Sequence, residues 1–183
     1  SPPRGAIVFT GSSSITFWKT LAQDMAPLPV INRGFGGSRI DQVARYVDRI
    51  VVPYDPQAIV LFAGTNDISG RQPKTAQQVF EGYRTFVANV RAALPETPIY
   101  YISITPSPSR WALWPIACEA NDLIRAYAAT VADHLYFIDL TPAILGPDGL
   151  PRRELYRSDK LHPSAQGYAV WTENIRPVLL RPA

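Results

Sequence analysis

The sequence predicts an α/β fold, a three-layer α/β/α sandwich with a five-stranded parallel sheet. Two observations carry this. Five short apolar runs alternate with amphipathic stretches, and such alternation implies parallel strands joined by crossover helices on both faces. The clearest run, at residues 58–63, is apolar throughout rather than alternately polar, as expected of a strand covered on both faces. Nothing marks a linker, a repeat or a second domain, so residues 1–183 are read as one domain.

The elements follow in order. Residues 6–10 (Ala-Ile-Val-Phe-Thr) form the first strand, stopped by Gly11, and residues 29–32 a second, shorter one. Ile40, Val43, Ala44, Val47, Ile50 and Val51 follow helical spacing. Residues 58–63 are the third strand. Val79, Tyr83, Phe86, Val87, Val90 and Leu94 mark the next helix, with Thr75 and Gln78 as a capping box at its start. Residues 98–105 and 135–140 are the remaining strands, separated by a helix through Ile116, Ala120, Leu123, Ile124, Tyr127 and Val131. A last helix is expected from about Ser164 to Arg176, ended or kinked by Pro177. Two connections, 106–114 and 141–163, are long enough to suggest function.

Composition excludes several function classes. Hydrophobic residues make up 46%, typical of a globular chain. The net charge of +3 comes from scattered residues, so no nucleic-acid partner is expected. The densest basic stretch, Arg152, Arg153 and Arg157, reads as a solvated loop face or as a surface that meets an anionic substrate. No apolar run approaches the roughly 20 residues of a membrane span. Cys118 is the only cysteine, which leaves no internal disulfide and no thiolate-rich metal site. With only His134 and His162, no multi-histidine metal centre is expected either. Ser1-Pro2-Pro3 carries no signal-peptide pattern, and neither compartment nor oligomeric state is written in the sequence.

Four polar fragments each follow a strand, which assigns them to the carboxyl edge of the sheet, where open α/β sheets bind ligands. Gly11-Ser12-Ser13-Ser14 reads as a helix N-cap, as a nucleophile at a helix N-terminus, or as a phosphate cradle. Asn32 to Gly37 reads as a turn needing positive φ, or as backbone brought close to a substrate carbonyl. Asn66 reads as a turn cap or an oxyanion donor, and Asp67 as a loop organiser. Asp159 and His162 lie three apart before Pro163, a spacing at which a carboxylate can hold the Nδ1–H of a catalytic histidine or make a purely structural bond. His134, at a helix end before a strand, reads as structural.

Taken together, these blocks resemble the SGNH hydrolases, the GDSL esterase and lipase family, across nearly the whole chain. The resemblance implies a flavodoxin-like SGNH hydrolase fold and a serine esterase working through an acyl-enzyme. It assigns Ser13, Asp159 and His162 as the catalytic triad, and the Ser13 N–H, Gly37 N–H and Asn66 amide as the oxyanion hole. Trp18 and the His-Pro-Ser-Ala-Gln-Gly run from His162 also match. One departure stands out: Ser12 replaces the Asp of Gly-Asp-Ser, a supporting residue in the family. Ile15 occupies the second glycine position of Gly-x-Ser-x-Gly, which counts against an α/β-hydrolase elbow.

The resemblance implies no cofactor and no metal. The expected partner is a small-molecule ester, a lipid or an acylated carbohydrate, with short acyl or acetyl groups favoured by the lack of an evident lid. Phe35, Trp111 and Trp114 read either as pocket walls or as loop packing. Two non-catalytic readings stand beside this one. The hydroxyl-rich Thr10–Thr16 turn also resembles flavodoxin-like proteins that cradle a flavin phosphate, and a non-catalytic domain of the same fold would bind carbohydrate.

Overall fold

The computed structural model describes residues 3–130 and 133–181; Ser1, Pro2 and Val131 lie outside them. Five strands form one sheet: β1 (Ile7–Gly11), β2 (Val30–Gly34), β3 (Ala58–Phe62), β4 (Ile99–Ile102) and β5 (Leu135–Ile138). All pairings are parallel, in the order β2-β1-β3-β4-β5. Between and after them run α1 (Ser13–Thr16), α2 (Leu21–Met25), α3 (Ile40–Arg45), α4 (Val47–Ile50), α5 (Ala76–Ala93), α6 (Trp114–Thr130), α7 (Thr141–Ile144) and α8 (Ala165–Leu180).

Alternate strand residues feed two cores, because successive side chains point to opposite faces of a sheet. Ile7, Phe9, Val60, Phe62, Tyr100 and Ile102 pack on one face with Trp18, Leu21 and Met25 and with Tyr168, Trp171, Ile175 and Leu179 of α8. Val8, Ile59, Leu61, Ile99 and Tyr101 pack on the other against α3, α4, α5 and α6. All five residues of β1 and of β3 are buried, as their unbroken apolar runs require. Each large apolar side chain buried this way contributes about 1.5–3 kcal/mol.

The structure differs from the sequence expectations in particular places. The helical run expected over Ile40–Val51 breaks at Tyr46 (φ −101°, ψ 14°) into α3 and α4. Strand β2 runs two residues past Asn32, through polar Arg33 to Gly34. Helix α8 is not ended by Pro177 but continues to Leu180. Leu179, buried in the core, holds the last turn in place despite the N–H that proline lacks. The 106–114 connection holds a 3₁₀ turn (Pro108–Leu113), and 141–163 holds α7 and a second short 3₁₀ turn (Arg153–Leu155). The capping box forms as expected: Gln78 N–H donates to Thr75 Oγ1 (3.1 Å) and Thr75 N–H to Gln78 Oε1 (2.9 Å).

Candidate active site

Strands β1, β2 and β3 end side by side, with Gly11 opposite both Gly34 and Phe62. Gly11 must be glycine: its φ is +129°, and a β-carbon there would stand 1.9 Å from the Phe62 carbonyl oxygen. The turn it permits delivers Ser12 to the head of α1. Ser12 N–H donates to the Phe62 carbonyl (3.0 Å), and the Ser12 carbonyl accepts from Ile15 and Thr16. Ser12 and Ser14 are buried, whereas Ser13 is partly exposed. The Ser14 carbonyl accepts a 2.7 Å bond from the Tyr168 hydroxyl. The three serines thus have separate jobs, and it is Ser13 whose hydroxyl meets a histidine: its Oγ lies 2.9 Å from His162 Nε2.

The loop bearing His162 is folded tightly on itself. Arg157 N–H donates to the His162 carbonyl (2.8 Å), and Lys160 takes a left-handed conformation (φ +61°) that turns Asp159 back toward the ring. Asp159 Oδ2 lies 2.5 Å from His162 Nδ1, and Oδ1 accepts the backbone N–H groups of Leu161 and His162 at 3.0 Å each. Partial burial pushes the Asp159 carboxyl up, but the bonds from the His162 ring and the two N–H groups outweigh it and hold it at about 2. The edge of Phe17 packs on the imidazole, ring centres 5.1 Å apart, and Arg157 stacks over Phe17.

The glycine-rich second fragment wraps the first. Asn32 Nδ2 donates to the Ile15 carbonyl (2.6 Å), while its Oδ1 accepts from Gly34 N–H (3.0 Å). A β-carbon on Gly36 would stand 3.9 Å from Ser13 Cβ, so any side chain at this position would rest against the serine. Gly37 follows at φ +73°, a conformation that favours glycine.

Asn66 completes the group from the loop after β3. Its Nδ2 donates to the Ser38 carbonyl (3.1 Å), and its Oδ1 accepts from Arg110 Nη1 (3.1 Å). Arg110 Nη1 also reaches Thr65 Oγ1 (3.0 Å). The neighbouring Asp67 is fully buried. Both its carboxylate oxygens accept from Ile40 N–H, and Lys74 pairs with it, which organises the loop.

Ser13, Asn66, Arg110 and His162 line one narrow cleft of about 10 Å³, about the room of one water molecule. The buried Ser107 hydroxyl, without a partner among the described residues, also lines it. Two wider recesses adjoin: one of about 490 Å³ past Gly37 and Asn66, bordered by Arg39 and Arg71, and one of about 700 Å³ on the far side of His162, bordered by Phe17 and Arg157. A separate hollow of about 730 Å³ lies elsewhere, around Arg91 and His134 at the start of β5. There the Thr85 hydroxyl donates to the Glu81 carbonyl, and the His134 carbonyl accepts from Ile99 N–H and Arg91.

The structure therefore brings Ser13, Asn66, Asp159 and His162 together, with Gly37 beside Asn66 at the adjoining recess. It does not bring the three aromatic residues into the cleft. Phe35 packs on Tyr46 and the α3–α5 core, and Trp111 and Trp114 stack on each other at 6.4 Å. Sequence reading missed Arg110 and Tyr168. The one sequence signal for Arg110 is an arginine in a long loop at the carboxyl edge of the sheet. Among the described residues no group of three or more His, Cys, Asp or Glu side chains could hold a metal ion, and no helix is long and apolar enough to cross a membrane.

Residues 5–170 match the family described as GDSL-like lipase/acylhydrolase. A comparison with curated proteins returns no match. Several solved structures share the fold. A candidate acylhydrolase from Bacteroides fragilis NCTC 9343 superposes with a TM-score of 0.83 at 22% identity, over 98% of this chain and 89% of that one. A GDSL-like lipase from Bacteroides thetaiotaomicron VPI-5482 gives 0.78 at 20% identity, over 95% and 87%. A carbohydrate esterase family 3 protein from Talaromyces cellulolyticus gives 0.75 at 17% identity, over 96% of both chains.

Proposed function

Because this chain belongs to the GDSL-like lipase/acylhydrolase family, and is an SGNH-type carboxylic ester hydrolase, we propose that it cleaves short acyl esters through a Ser13–His162–Asp159 triad and an acyl-enzyme. The observation that carries this is the 2.9 Å approach of Ser13 Oγ to His162 Nε2, with Asp159 behind the other ring nitrogen.

In the first step His162 Nε2 takes the proton from Ser13 Oγ as that oxygen attacks the ester carbonyl. Asp159, ionised throughout the neutral range, keeps the Nδ1–H tautomer and stabilises the imidazolium. The Ser13 and Gly37 N–H groups and the Asn66 amide receive the oxyanion. His162 then gives its proton to the leaving alcohol. In the second step it takes a proton from water, which attacks the acyl-enzyme carbonyl; the acyl–Oγ bond then breaks, the acid leaves, and His162 returns the proton to Ser13 Oγ. The triad and the oxyanion donors accomplish this without a cofactor.

The narrow cleft beside Ser13 leaves little room for an acyl chain and so favours the smallest acyl groups, and the wide recesses on either side offer room for a bulkier alcohol. An acylated carbohydrate suits this asymmetry better than a long-chain lipid. The test is hydrolysis of p-nitrophenyl acetate by Ser13→Ala. Turnover is expected to fall by at least about 10³-fold with the melting temperature preserved. A folded variant with wild-type turnover overturns the assignment.

A further inference from the structure

Asn66 has a complete hydrogen-bond account. A side-chain amide offers one acceptor oxygen and two N–H donors. Arg110 has no acceptor, so the Asn66 atom facing its Nη1 at 3.1 Å is necessarily the oxygen. One Nδ2 proton goes to the Ser38 carbonyl at 3.1 Å. One N–H remains without a partner among the described residues, on a side chain that lines the cleft with Ser13.

Arg110 is itself unusually placed. It is half-buried, burial lowers the pKa of its guanidinium, and among the described residues no carboxylate pairs with it. A desolvated cation without a counter-charge is costly. Such a charge does suit a site where negative charge develops only during the reaction. The loop that carries it is tied to the loop of the triad. Ser109 N–H donates to the Lys160 carbonyl (3.0 Å), and the Tyr156 hydroxyl donates to the Pro106 carbonyl.

We propose that Arg110 is a positioning residue that acts through Asn66: by holding Oδ1 it fixes which way the amide faces and leaves one Nδ2–H for the oxyanion. Its positive charge also polarises the amide and strengthens that donor. The proposal rests on the reading of Asn66 as an oxyanion donor. Because the amide is engaged only as the oxyanion forms, Arg110 contributes to kcat rather than to substrate affinity.

A double-mutant cycle on p-nitrophenyl acetate tests it, with Asn66→Ala, Arg110→Met and the double variant compared for kcat and KM, and melting temperature as the fold check. Asn66→Ala is expected to lower kcat by about 10²–10³-fold. Arg110→Met is expected to lower kcat by roughly tenfold or more with KM changed less than about twofold. In the Asn66→Ala background, removing Arg110 is expected to cost less than about twofold further. Should Arg110→Met fail to fold, Arg110→Gln goes through the same cycle. The proposal is overturned if replacing Arg110 leaves kcat unchanged, raises KM alone, or costs as much without Asn66 as with it. If Asn66→Ala alone leaves kcat intact, the oxyanion reading falls, and this proposal with it.

Discussion

The hydroxyl of Tyr168 donates a 2.7 Å hydrogen bond to the carbonyl of Ser14, across 154 residues of sequence. It joins the helix that follows His162 to the turn that carries Ser13. The same ring stacks on Trp18 at 5.1 Å, with the planes 22° apart. Two distant halves of the site are thus fastened through a single buried side chain.

Tyr168→Phe keeps the ring and removes the bond, leaving the buried Ser14 carbonyl without its donor. A loss of about 1–3 kcal/mol in unfolding free energy is expected by denaturant titration, together with a smaller fall in kcat as the Ser13–His162 distance relaxes. Unchanged stability and unchanged kcat would show that the bond fastens nothing.

Asp159→Asn keeps the shape of the side chain but not its charge, and removes the preference for the Nδ1–H tautomer of His162. A fall in kcat of up to about 10⁴-fold is expected. The carboxyl also links stability to pH. Its pKa in the folded protein, about 2, lies below the ordinary 3.8, so the unfolded chain binds the proton more readily. The stabilisation is therefore present above about pH 4 and is lost as pH falls toward 2. Melting temperatures measured from pH 5 to pH 2 are expected to fall more steeply for the native protein than for Asp159→Asn. Parallel curves would contradict the assignment.

The 10 Å³ cleft predicts a sharp preference for short acyl groups. Across p-nitrophenyl acetate, butyrate and octanoate, kcat/KM is expected to fall by roughly tenfold or more from the first to the last, because each added methylene must displace packed side chains. A rising series would overturn the acetyl-sized reading.

The strands were legible because buried parallel strands are written as unbroken apolar runs, as in Ala58–Phe62. The cap at Thr75 and Gln78 was legible because both partners lie within one turn. Polar Arg33 on the edge strand β2, the break at Tyr46 and the passage of α8 through Pro177 were not, since packing rather than local pattern decides them. The site divides the same way. Ser13, Asn66, Asp159 and His162 stand in short local motifs, whereas Arg110 and Tyr168 act on atoms 44 and 154 residues away. Phe35, Trp111 and Trp114 are aromatic residues in or beside loops, a pattern produced equally by a pocket wall and by packing among themselves and against neighbouring helices.

The central claim is that Ser13, rather than Ser12 or Ser14, carries the acyl group. Mass spectrometry of peptides after treatment with a serine-reactive phosphonate tests it most directly. A single adduct on Ser13, absent from Ser13→Ala and formed slowly in His162→Ala, is the expected result. An adduct on Ser12 or Ser14, or none while the enzyme keeps hydrolysing ester, would contradict it.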